Sequence, residues 1–184
     1  MDDSAESAQS PGRCTTDEPP SSGGTLCVDV IDSRSALSCA DRTWLEQTLR
    51  SACGALGVSG GEVRVEVIDD GAMIAAHERY SGVAGATDVL TFSYADDPRA
   101  DADVDVMVCV DEAMRQAASR SHGVREELLL YSVHGLLHTL GHDDHDEEAA
   151  RVMHAEEDRV LTAIGVGAVF ASDGGTDESL GVTP

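Results

Sequence analysis

The sequence predicts an α+β (α/β layer) fold of four strands and about five helices, on three observations. Four short segments alternate apolar and polar residues or are rich in β-branched and aromatic ones. About five longer segments repeat apolar residues at helical spacing. The two kinds interleave along the chain without any internal repeat, so strands and helices must share one layered core.

Taken in order, "TLCVDVID" (25–32) alternates well enough for a half-buried strand. "ADRTWLEQTLRSACGALGV" (40–58) sets Trp44, Leu45, Leu49, Ala52 and Leu56 on one helical face, with Asp41 as its expected cap and Gly57 as its stop. "EVRVEVID" (62–69) alternates strictly, as a strand with one wet face does. "DGAMIAAHERY" (70–80) is a short helix ended by Gly82 and Gly85. "TDVLTFSY" (87–94) is β-rich, and "VDVMVCV" (104–110) reads as a buried strand. Three helices follow: "DEAMRQAASRS" (111–121), the long apolar "REELLLYSVHGLLHTLG" (125–141), and the amphipathic "DEEAARVMHAEEDRVLTAIG" (146–165).

At 184 residues the chain is long enough for one domain and too short for two comfortable ones. Residues 1–24 are rich in Ser, Pro, Gly and acid, with almost nothing to bury, and are expected to be disordered. Residues 167–184 read as a flexible tail of the same composition, which leaves 25–166 as the folded domain. No run approaches the ~18 apolar residues of a membrane span, and no basic-then-apolar region opens the chain, so neither a membrane partner nor export is expected. Cys14, Cys27, Cys39, Cys53 and Cys109 are odd in number and lack CxxC spacing. They read as reduced thiols in a cytoplasmic protein, serving as small core hydrophobes.

The chain carries 35 acidic residues against 12 basic ones, for a net charge of −23, and every basic residue is arginine. The two tails hold eight acids and one arginine, so the acidity belongs to the domain itself. Such a surface argues against tight non-specific binding to nucleic acid, and an acidic proteome bias explains it without any functional role.

One stretch carries chemistry. "HGLLHTLGHDDH" (134–145) places four of the seven histidines and two aspartates in twelve positions. On a helix, His134 and His138 lie one turn apart on the same face, so both imidazoles can reach one ion. Gly141 can turn the chain sharply in a left-handed conformation, so a third ligand arrives from residues 142–145. A zinc peptidase carries a glutamate directly after the first histidine, and here that position is Gly135.

These residues resemble a known family. "HGLLHTLGHDDH" is similar to the HGxLHxxGxDH signature of the YbeY-type endoribonucleases, factors of ribosomal-RNA maturation; "ATDVLTFSY" (86–94) resembles the family's PTDVLSFP segment, and "VDVMVC" (104–109) its GDIVIC strand. The resemblance covers about 25–166 and implies a mixed four-stranded sheet, one zinc ion per chain and cleavage of single-stranded RNA. It further implies a role in maturing the small-subunit rRNA 3′ end and in ribosome quality control. The implied partners are rRNA, ribosomal particles and assembly factors, with no DNA. By the family's spacing the third ligand is Asp144, ten residues after the first histidine. A turn that absorbs one extra residue makes it His145, so the set is His134 and His138 with either Asp144 or His145. His142 stands where the family has an aromatic residue and reads as a packing or supporting group, while His77, His122 and His154 read as surface or structural histidines.

"HERYSG" (77–82) aligns with the family's NxxYRG, and the family's arginine is Ser81 here. Arg79 is two residues away and points elsewhere on a helix, which makes it a poor catalytic substitute. Local RNA contacts are assigned to Arg79, Arg115, Arg120 and Arg125, although a merely solvated face explains those arginines as well. Three protein ligands leave a tetrahedral ion one position for water, whose proton it makes easier to lose. Phosphodiester cleavage has a better leaving oxygen than a peptide and can manage without the missing glutamate. The rival readings are a metal-binding ribosome-assembly factor that barely cleaves and a metallopeptidase.

Without the family's arginine the chain lacks a charge-assisted hydrogen bond, a loss worth about tenfold to hundredfold in rate or binding. Ser81→Arg is expected to raise cleavage of naked single-stranded RNA without changing zinc content. A side-by-side time course on one oligonucleotide checks this, and equal rates refute it.

Overall fold

Strand alternation and helical spacing translate directly into the elements of the computed structural model, which describes residues 24–120 and 122–169. They run β1 (Cys27–Asp32), α1 (Cys39–Ala55), β2 (Gly61–Ile68), α2 (Asp70–Ser81), β3 (Val89–Ser93), β4 (Ala102–Cys109), α3 (Val110–Ser119), α4 (Val124–Thr139) and α5 (Glu147–Ala163). The expected tails, 1–24 and 167–184, lie outside the described residues except for Gly24 and residues 167–169. Val169 donates its backbone N–H to the Asp158 carboxylate at 2.7 Å, which ties the end of the described chain to α5.

The sheet is mixed, with strand order β1-β2-β4-β3. β1 and β4 flank β2 in parallel, and β3 closes the edge antiparallel to β4, pairing Thr91 with Val106. Alternation sorts the two faces. Val63, Val65 and Val67 of β2 and Val104, Val106 and Val108 of β4 point into the main core with Val28 and Val30 of β1. Leu45 and Leu49 of α1 and Leu128, Leu129 and Leu136 of α4 cover them. On the other face Arg64 bonds Asp103 and Asp105 in the open, while α2 closes one end with Met73 against Ile68 and Cys109.

The N-terminal cap of α1 is Ser38 rather than Asp41. Its hydroxyl accepts from Asp41 N–H at 3.1 Å and donates to the Asp41 carboxylate at 2.6 Å, so the acid that sequence marked sits three positions inside the helix. The cysteines also divide differently from expectation. Cys53 and Cys109 are buried, but Cys27 and Cys39 are exposed, because they fall on the wet face of β1 and the first turn of α1. Cys14 lies outside the described residues.

Helix α4 is buried on nearly every side from Glu127 to Leu137. Gly135 sits where it crosses β3 and β4. A Cβ built there would lie 2.3 Å from Thr91 Oγ1, 3.2 Å from Val89 Cγ2 and 3.3 Å from Val106 Cγ1. Glycine is therefore what allows the helix to lie this close to the sheet, and a glutamate at this position has no room. Gly135→Ala should destabilise the fold by about 1–2 kcal/mol, since overpacking costs more than the roughly 1 kcal/mol gained in helix propensity. Thermal or urea melts check this. Most of the loss should vanish in a Thr91→Ala background, and a loss of the same size there would show that Thr91 is not the obstacle.

Candidate metal centre

The last turn of α4 builds the site. Beyond Leu140 the helix ends in a Schellman motif: His142 N–H reaches Leu137 O at 3.0 Å, Gly141 N–H reaches His138 O at 3.1 Å, and Gly141 adopts φ +90°. That left-handed turn sends the chain back across the helix end and brings Asp144 to the face shared by His134 and His138.

The three donors converge. His134 Nε2 and His138 Nε2 are 3.1 Å apart, with rings nearly perpendicular at 86°. Asp144 Oδ2 lies 3.6 Å from His134 Nε2, and Asp144 Oδ1 lies 3.7 Å from His138 Nε2. A tetrahedral zinc with bonds of ~2.0–2.1 Å needs ligand atoms roughly 3.4 Å apart, and these separations lie near that value, with one Asp144 oxygen turned toward each histidine. His145 does not join them. It is 84% exposed, and its ring turns onto the Asp143 carboxylate.

The ring nitrogens facing away from the triad are fixed by partners that can only accept. His134 Nδ1 donates to Glu157 Oε1 at 2.7 Å, and His138 Nδ1 donates to the His142 carbonyl at 3.1 Å. In their neutral forms both rings then present bare Nε2 lone pairs to each other and to a carboxylate, an arrangement suited to a cation. Burial works against a charge on His134, but the hydrogen bond and charge of Glu157, with Asp88 and Asp144, outweigh it and raise its pKa above the ordinary histidine value.

Glu157 is a site residue that sequence reasoning missed. It comes from α5, its side chain is 1% exposed, and its Oε2 finds no hydrogen-bond partner among the described residues. The signal was present: in α5 the buried positions are Met153, Glu157, Val160 and Leu161, so an acid stands in an otherwise apolar stripe. His142 supports the site through its carbonyl rather than its ring. His122 is structural, bonding the fully buried Glu127 at 2.7 Å, and His77 bonds the Gly85 carbonyl. His154, by contrast, lines a cavity of about 280 Å³ beside the triad, together with Asp88, Arg120, Tyr131, His134 and Asp144.

The arginines assigned to RNA do not form one patch. Arg115 is held by Asp70 and Glu112, and Arg125 by Asp41 and Glu126 while stacking on Trp44. Arg120 is anchored to Glu127 at 3.0 Å yet stands in the wall of the cavity. Arg79 lies on the exposed side of α2 over the ring of Tyr80, and Ser81 is the exposed last residue of that helix.

A four-stranded α+β fold here gathers two histidines and an aspartate, a set that could hold a metal ion, at the end of its buried helix. The model of the family described as endoribonuclease YbeY matches residues 30–165. The endoribonuclease YbeY of Geobacillus thermodenitrificans is 31% identical over 153 residues, which cover 77% of this chain and 98% of that protein. That of Acidothermus cellulolyticus is 38% identical over 114 residues, 55% of this chain and 70% of the relative. The solution structure of TM1509 from Thermotoga maritima superposes with a TM-score of 0.48 at 18% identity, covering 86% of this chain and all of that one. The chain belongs to the YbeY endoribonuclease family, and with it to the nucleases that hydrolyse RNA.

Glu157→Leu is expected to lower metal affinity by roughly 10–100-fold, the usual cost of losing the group that orients a ligand histidine. The fold should survive, because a buried carboxylate is exchanged for an apolar side chain of similar size. Zinc titration against a competing chelator, with a melt of the metal-free protein, separates the two effects. Unchanged affinity would remove Glu157 from the site.

Proposed function

We propose that the protein is a zinc-dependent, single-strand-specific endoribonuclease of the cytoplasm that matures the 3′ end of small-subunit rRNA, with ribosomal particles and assembly factors as its working partners. The single observation that carries the metal dependence is the convergence of His134 Nε2, His138 Nε2 and Asp144 into one triangle of ligand spacing. The rRNA substrate and the ribosomal setting rest on family membership.

His134, His138 and Asp144 hold the ion. When bound, it supplies Lewis-acid chemistry, polarising the scissile phosphodiester and stabilising the charge that develops there. Glu157 and the His142 carbonyl keep both imidazoles in the tautomer that leaves Nε2 free to coordinate. The adjoining cavity receives the RNA next to the bond that breaks, with Arg120 and His154 in its wall. A guanidinium there offers an anion contact beside the triad, on the opposite side of the sheet from the aromatic contacts of Arg79 and Tyr80. The peptidase alternative is disfavoured by packing, since a glutamate at position 135 would run into Thr91. The assembly-factor alternative is favoured by Ser81 and by the net charge of −23.

Purified protein is expected to carry one zinc per chain. It should cut a fragment of the small-subunit rRNA 3′ end in single turnover, and lose both the cut and part of its thermal stability to a chelator. Cleavage that persists without metal defeats the proposal, and metal binding without cleavage leaves the assembly-factor role.

Asp144→Ala should lower zinc affinity far more than His145→Ala. The reverse order hands the third position to His145, and equal, mild losses exclude both.

A further inference from the structure

We propose that Tyr80, with Phe92 and Arg79, forms a stacking platform for an unpaired nucleobase of single-stranded RNA whose scissile bond lies at the metal triad; this rests on the nuclease reading above. Tyr80, the residue before the end of α2, is half exposed, and its ring meets Phe92 of β3 edge to face with centroids 4.9 Å apart. The guanidinium of Arg79 lies 5.3 Å from the Tyr80 centroid. Ile74, Val83 and Tyr94, all more than 40% exposed, extend the apolar surface on the same helix and around the same edge strand.

The charge pattern names the occupant. Each of the other described arginines meets a carboxylate or a backbone carbonyl, as in Arg34 with Asp69, Arg50 with the Val28 carbonyl or Arg99 with the Leu56 carbonyl. Among the described residues Arg79 meets neither, and only the π-face of Tyr80 holds it. On a chain of net charge −23 an arginine left without an acid, resting on an exposed aromatic ring, is the local exception. A nucleobase can take the face of Tyr80 that Arg79 loosely covers, and the displaced guanidinium then turns to the neighbouring phosphate. A protein partner of basic character has no use for that arginine, and duplex RNA has no unstacked base to offer.

Position supports the same occupant. β3 is the edge strand: Phe92 faces α2, whereas Val89 and Thr91 face Gly135 of α4. The segment between α2 and β3 leads from Tyr80 to Thr87 and Asp88. Asp88 lines the cavity that also holds His134 and Asp144, and Thr87 lines its neighbour. A strand of RNA leaving the triad therefore meets the platform by crossing one sheet edge.

The test is binding of a short fluorescent single-stranded oligoribonucleotide to the zinc-loaded protein on ice, with cleavage followed on gels in parallel. Tyr80→Leu should weaken binding roughly 5–100-fold, the range of one base stacked on an aromatic ring. Tyr80→Phe keeps the ring and should stay within about twofold of wild type. Arg79→Gln, at an exposed position with no folding role, should weaken binding and flatten the slope of log affinity against log salt by about 0.7. The zinc content of all three variants should equal that of wild type. If wild type cuts the RNA and both Tyr80→Leu and Arg79→Gln bind it as tightly as wild type, the platform is overturned while the nuclease reading stands. If wild type binds in a Tyr80-dependent way but never cuts, the platform stands and the nuclease reading falls.

Discussion

Helix α4 crosses β3 and β4 at Gly135 with no room for a side chain, and the candidate site inherits its geometry from that contact. Close approach holds the helix rigidly on the sheet, with Leu128, Leu129 and Leu136 buried in the core. The helix then ends where Gly141 turns, so His134 and His138 stand one turn apart at the edge of the core rather than within it. The same approach draws β3 inward and sets Asp88 into the wall of the cavity beside the triad. One missing side chain thus removes a peptidase's base and at the same time brings in the strand next to the cavity beside the triad.

The donor set explains why so polar a cluster persists against a hydrophobic core. Glu157 is almost fully buried, and only one of its two carboxylate oxygens is hydrogen-bonded among the described residues. An isolated carboxylate there is costly, by several kcal/mol after relaxation. His134 meets it at 2.7 Å, and a cation held on the far nitrogen of that ring would further offset the charge. A bound metal would thereby be coupled to the junction of α4 with α5, and would add to the fold's stability as well as supply chemistry.

The strong acidity has a structural outlet. Most described arginines are spent on the protein's own carboxylates, several of them exposed pairs such as Arg151 with Glu148 and Arg159 with Glu156. Exposed pairs of this kind contribute little stability. They do erase most of the positive field that a nucleic acid would sense at a distance. Under the proposed function, recognition of RNA by this surface would rest on short-range contacts: aromatic faces, the guanidinium in the cavity wall and a bound metal.

The sequence by itself determined the elements, the strand faces and the histidine pair, because those depend on periods of two and 3.6 residues that act locally. Val63, Val65 and Val67 had to share a face, and so had His134 and His138. It also marked Gly141 as the turn. Tertiary structure alone decided the rest. Asp144 and His145 are neighbours in an irregular loop, and only the path after the left-handed turn puts one on the histidines and the other on Asp143. Glu157 reaches His134 from 23 residues away through the packing of α5 on α4. Separation in sequence likewise hid the fates of Arg115 and Arg125, whose guanidinium groups meet Asp70 and Asp41 from 45 and 84 residues away. Local periodicity says which way a side chain points along its own element; what it meets there is set by elements that arrive from elsewhere in the chain, and no spacing records them.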